Sequence, residues 1–127
     1  MAYEAGEFFP GARVQRVTAS ADIAKGAVVT ITPAAASTAA PCAESGDGPF
    51  AVAIEAIANG KTGRVVTKGE VAIDCSGNCY TNAIVTGSGG KVKACDKDPS
   101  ENWIKPLGRM TVGGANGTVG VVDLGGL

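Results

Sequence analysis

Histidine is absent from all 127 residues. That removes the commonest general base, the usual partner of a serine or cysteine nucleophile, and the commonest metal-ligating side chain. Aromatics are scarce as well, with one Trp, two Tyr and three Phe, which argues against a broad stacking platform for sugars or bases. An excess of one charge is also missing: 11 Lys and Arg face 12 Asp and Glu, for a formal net charge of −1. The basic residues are scattered, so the chain lacks the positive stripe that nucleic-acid binding requires. No apolar run approaches the ~20 residues of a membrane-spanning helix. The N-terminus, Met-Ala-Tyr-Glu-Ala-Gly-Glu, has neither the basic start nor the apolar core of a signal peptide, so synthesis in a cytoplasm without export by the usual route is expected.

What is present points one way. Valine and isoleucine together number 21 against three leucines, with ten threonines besides. β-branched side chains lose χ1 freedom in a helix and pack well on a pleated surface. Nineteen glycines and six prolines interrupt the chain at short intervals, as expected of many short strands joined by turns. The fold class is all-β, in a single domain.

Residues 1–12 show no strand period and read as an extended N-terminal arm, whose Phe8 and Phe9 either tuck onto the domain or dock on a partner. Residues 13–127 read as the β domain. Strands are expected at Arg13–Thr18, Val28–Thr32, Phe50–Ala58, Arg64–Thr67, Val71–Cys75, Ala83–Thr86, Lys91–Cys95, Trp103–Leu107, Arg109–Val112 and Thr118–Leu124. The small-residue stretch Ala34–Ala40 fits either a loop or a flat strand.

Gly60-Lys61-Thr62 carries the closing letters of a nucleotide-binding P-loop. The glycine required five residues earlier is Glu55, whose carboxylate would repel a phosphate, and a β-type run rather than a helix follows. A second copy of the stretch supports a structural role: NGKTGRVVTKG from Asn59 and NGTVGVVDLGG from Asn116 share Asn-Gly, a glycine three residues on, a valine and the last glycine. Asn59-Gly60 and Asn116-Gly117 are tight-turn signals, with Gly63 and Gly120 easing entry to the next strand. Cys42 precedes Phe50, and Cys95 precedes Trp103, by the same eight positions. The two halves therefore read as related β units with Phe50 and Trp103 as matching core anchors.

The four cysteines admit three accounts. Disulfides would pair Cys75 with Cys79 across Ser-Gly-Asn and Cys42 with Cys95 between the halves, one of three possible connectivities. An all-cysteine zinc site is the second, although Cys75 and Cys79 are separated by three residues where two are usual. Ordinary reduced thiols are the third. The carboxylates Glu55, Glu70, Asp74, Asp96, Asp98 and Glu101 form no recognisable acid/base pair or calcium-loop pattern. The expectation is a protein that is not an enzyme and holds no cofactor.

The order "IAKGAVVTIT", "GPFAVAIEAIANGKTGRVVTKGEVAI", "AIVTGSGGKVKA" and "VGVVDLGG" resembles the capsid cement, or head decoration, proteins of tailed bacteriophages. The match runs from Gly11 to Leu124 and rests on turn glycines and valines. The cysteines and the Asp96–Asn102 stretch are outside it. The resemblance implies a small β-barrel or β-tulip-like domain, commonly a homotrimer, on the outer surface of an expanded icosahedral shell. There it would clamp neighbouring major capsid proteins, with Tyr3, Phe8 and Phe9 as docking residues of the arm. Two other readings are a small β-rich surface module for a carbohydrate or receptor, suggested by Thr86–Gly90 and Asp96–Trp103, and a metal-stabilised module using all four cysteines.

Overall fold

The computed structural model describes residues 4–32, 38–41, 50–88, 90–94 and 107–124. Their regular structure is entirely strand: β1 (Arg13–Ala19), β2 (Val28–Thr32), β3 (Thr38–Pro41), β4 (Phe50–Ala53), β5 (Thr62–Asp74), β6 (Ile84–Ser88), β7 (Lys91–Ala94), β8 (Gly108–Val112) and β9 (Val119–Leu124). They form one sheet in the order β1-β3-β2-β4-β5-β9-β8-β6-β7, and an added β1–β5 pairing closes the first five into a barrel. The β-branched composition is thus realised as an all-β barrel fold.

β5 organises the whole. Its 13 residues pair with β1 and β4 through the first half and with β9 through the second. The sequence suggests two strands here, Arg64–Thr67 and Val71–Cys75. Instead Gly69 stays inside the strand at φ +103°, and a Cβ there would meet the Cα of Ala12 at 2.7 Å. This glycine permits a close backbone approach rather than ending an element. Conversely, the expected strand over Phe50–Ala58 stops at Ala53, and beyond it Ile57 makes only an isolated antiparallel bridge with Ile23.

The second half repeats the first. β5, β9, β8, β6 and β7 follow one another as β1, β5, β4, β2 and β3 do, and one parallel bridge between Cys75 and Val92 joins the ends of this second ring. Its match is the parallel Ala19–Ala39 pair. Many backbone bonds correspond between the halves. Ile23 and Ile57 exchange two hydrogen bonds, and so do Cys79 and Gly114. Gly26 N–H donates to Ala53 O at 2.7 Å, and Asn82 N–H to Met110 O at 2.7 Å. Gly26 lies at φ +84° and its counterpart Asn82 at φ +70°, the one non-glycine in that region among the described residues; asparagine is among the few side chains that tolerate it. Even a side-chain bond is duplicated: Asp22 Oδ1 accepts from Asn59 N–H, and Asn78 Oδ1 from Asn116 N–H.

This correspondence changes one sequence-based pairing. Phe50 is half-buried against the larger core cluster, and by register its counterpart is Leu107, which stands as far before Asn116 as Phe50 does before Asn59. Trp103, the expected match, lies outside the described residues.

Two apolar cores result. Val17, Ala19, Ile23, Val29, Ala53, Ile57 and Val65 are among those filling the first barrel. Except for Ile57, whose place is taken by Gly114, their counterparts Ile73, Cys75, Cys79, Val85, Met110 and Val122 belong to the second cluster. That cluster also takes in Val28, Val52 and Val66 from the first half, which alternate with the barrel interior and so project from its outer face. The halves meet there, and Val28 N–H donates to Gly90 O at 2.8 Å. The same places in the second half are Ile84, Arg109 and Asp123, none of them buried. The stacking face is therefore apolar in one copy and solvated in the other, as at the end of a short repeat array.

Gly60 and Gly117, at φ +81° and +79°, make the two Asn-Gly turns. Gly63 and Gly120 serve a different purpose. Both are buried, and a Cβ on either would strike an apolar side chain, Ile57 or Met110 respectively. Room for a core residue, rather than strand entry, explains them. Lys61 uses its backbone in the turn and exposes its side chain. Lys61→Ala should therefore leave the melting temperature unchanged. Gly60→Val should cost about 1–2 kcal/mol because an L side chain is strained at positive φ. Thermal denaturation of the two variants checks both.

Candidate functional site

The described part of the arm is bound to the chain's own sheet. Gly6 N–H donates to Ala72 O at 2.8 Å, Ala72 N–H to Glu7 O at 2.7 Å and Phe9 N–H to Glu70 O at 3.2 Å. Phe8 forms an antiparallel bridge with Val71. The arm thus continues β1 along the rest of β5. Glu4 adds an ion pair with Lys25 at 3.0 Å, an exposed contact of little energetic weight. Of the expected docking residues, Phe8 is 46% exposed, Phe9 is half-buried, and Tyr3 lies outside the described residues.

Next to this arm the sheet has an open edge. β1 pairs with β5 on one side, but β3 reaches it only at Thr18 and Ala19. Among the described residues, Arg13–Val17 consequently have no strand neighbour on their other side. Arg13, Val14, Gln15 and Arg16 are all exposed. Such an edge presents unpaired backbone N–H and C=O groups to an incoming strand, and the exposed charges of Arg13 and Arg16 oppose casual aggregation. The sequence shows β1 as a strand, but its edge position follows from long-range pairing that no local pattern encodes.

The expected Cys75–Cys79 disulfide needs correction, and the account of ordinary reduced thiols fits both residues. No disulfide joins Cys75 to Cys79, and both are buried in the second core. They occupy the places of Ala19 and Ile23 and behave as compact hydrophobes. The Cys79 thiol points towards Val92 O at 3.7 Å. Burial pushes the Cys75 thiol above its usual range, partly opposed by a hydrogen bond with Cys79. Since this folded-state pKa is raised, the neutral thiol favours the folded state below pH 9.0, and that contribution is lost as pH rises through the folded value. Cys42 and Cys95 lie outside the described residues. Among those described, no group of three Cys, Asp or Glu could hold a metal. Alkylation followed by peptide mass spectrometry should label Cys75 and Cys79 only after denaturation; labelling of the native protein at pH 7 would contradict this packing.

Glu55, the residue that breaks the P-loop pattern, has a structural partner. Its carboxylate accepts from Arg64 N–H at 2.8 Å and from the Arg64 guanidinium at 3.4 Å. These bonds, side chain first, hold its pKa below the ordinary 4.5. It is therefore tied to the adjoining β5.

No family model matches the chain, and no curated protein matches its sequence. Among solved structures, the fold is similar to the crystal structure of the head fiber gp8.5 N base in bacteriophage phi29, with a TM-score of 0.66 and 14% sequence identity. The match covers 88% of this chain and 92% of that one.

Proposed function

We propose that the chain is a structural protein of a tailed-bacteriophage virion, seated on the outer surface of the head as a decoration or cement protein that bridges major capsid proteins. The observation that carries this reading is the likeness of nearly the whole fold to a phage head fibre base. The open β1 edge beside exposed Phe8 supports it, offering backbone pairing and an apolar anchor to an extended segment of a shell protein. A homotrimer on threefold or quasi-threefold positions is part of the proposal. Each contact can be modest, because many copies bind together and a ligand that prefers the expanded shell stabilises that state.

The test is mass spectrometry of gradient-purified particles, combined with sedimentation of the isolated protein alongside expanded and unexpanded capsids. The expected result is stoichiometric presence in particles and cosedimentation with expanded capsids only. Absence from particles, or equal binding to both shell states, would overturn the proposal.

A further inference from the structure

The duplicated fold makes its own control for a surface groove. At one end of the second half, Asn78, Tyr80, Thr81, Gly113, Gly114 and Ala115 line an open recess of about 410 Å³, with Cys79 at its base. That volume falls within the range of small-molecule pockets, about 300–1,000 Å³. Two segments far apart in sequence build it. They are held together by the paired Cys79–Gly114 backbone bonds and by Gly113 N–H donating to Thr81 Oγ1 at 3.0 Å. Gly113 is required for this approach, since a Cβ there would meet Thr81 N at 2.6 Å and Cys79 O at 2.7 Å.

The same place in the first half is chemically different. Asp22 stands for Asn78, Ala24 for Tyr80 and Lys25 for Thr81, while Ala56 and Ile57 replace the two glycines. The arm also leans on that end: Lys25 pairs with Glu4, and Gly26 packs against Ala5. In the second half both charges are gone and the glycines lay the backbone bare. Tyr80 projects with 70% of its surface exposed. Asn78 uses its carbonyl oxygen on Asn116 N–H at 3.0 Å, which leaves its side-chain NH₂ available as a donor. The Thr81 hydroxyl, accepting from Gly113, retains a proton to donate.

We infer that this groove is a binding site for a neutral sugar ring. The apolar face of a pyranose would stack on Tyr80, and its hydroxyls would accept from Asn78 and Thr81. An amphipathic aromatic beside neutral amide and hydroxyl donors suits a ligand with one apolar face and polar edges. The absence of charge among the lining residues excludes the ion pairing that phosphates, carboxylates or basic peptides require. With one aromatic and an open recess, affinity for a single ring belongs on the order of millimolar. The site is independent of where the chain is assembled.

The test uses the isolated, ¹⁵N-labelled full chain titrated with glucose, with N-acetylglucosamine and with glucuronic acid as the charged control. At least one neutral sugar should shift the Tyr80, Thr81, Gly114 and Ala115 amides saturably, while the Ala24, Lys25, Ile57 and Ala58 amides stay in place. Tyr80→Ala should weaken binding about tenfold or more, a loss of roughly 1.4 kcal/mol, and Tyr80→Phe should largely retain it. Because Tyr80 is exposed, the unmoved first-half amides report that the variants are folded. Absence of saturable shifts with both neutral sugars, equal binding by Tyr80→Ala, or tighter binding of glucuronic acid would each overturn the inference.

Discussion

Ile57→Gly and Ala53→Met should each destabilise the protein alone and partly offset one another when combined. In the first half, Ile57 lies over Gly63, so that a Cβ on the glycine would strike its side chain. In the second half the counterpart of Ile57 is Gly114, and the space over Gly120 is taken by the Met110 Cε, 2.6 Å from where a Cβ would stand. Met110 corresponds to Ala53, as shown by the matching pairs Ala53–Val65 and Met110–Val122. One barrel therefore fills the space with isoleucine plus alanine, and the other with glycine plus methionine. Removing Ile57, 2% exposed, should cost about 3–5 kcal/mol through lost burial and the cavity left behind. Methionine at the fully buried Ala53 should cost about 1–3 kcal/mol by overpacking. The double variant should recover about 2 kcal/mol relative to the sum, the scale expected for side chains that share one space. Chemical denaturation of the four proteins measures this coupling. Simple additivity would show that the two halves do not use interchangeable packing.

The internal repeat was partly legible because its turns depend on backbone geometry. Gly60 and Gly117 stand at positive φ, where glycine is favoured, and the Asn-Gly letters stand in both copies. The core resists the same comparison, since burial asks only for volume and apolarity. Cys75 can replace Ala19, and Cys79 can replace Ile23, without any letter in common. That also explains why spacing suggested a disulfide where the fold has two buried thiols. The two strands expected over Arg64–Thr67 and Val71–Cys75 are one strand, because Gly69 between them lets two backbones approach without ending it. The open β1 edge and the Tyr80 groove were not readable locally. Each depends on partners distant in the chain, and the sole local sign of the groove is an aromatic between Cys79 and Thr81 in a sequence with few aromatics.

Ile73→Ala and Val17→Ala, in different barrels, should lower the stability of one and the same unfolding transition. Ile73 is fully buried and Val17 is 1% exposed; they are counterparts, pairing with Gly120 and Gly63 respectively. Truncating isoleucine to alanine at such a site costs about 2–5 kcal/mol, so Ile73→Ala should lose about 4 kcal/mol. Val17→Ala removes less side chain and should lose about 2 kcal/mol. Separate barrels would melt separately, each variant affecting only its own half. The connectivity argues otherwise. β5 supplies a wall to both rings without interruption, and Val28, Val52 and Val66 place the outer face of the first barrel in the core of the second. Unfolding one ring would strip a wall from the other and expose those valines, so neither half retains enough buried surface to stand alone. Each variant should give a single transition with unchanged denaturant dependence. Hydrogen exchange should show Val65 and Val122 amides losing protection together in both variants. Exchange accelerated only in the mutated half would mean that β5 joins two independent folding units.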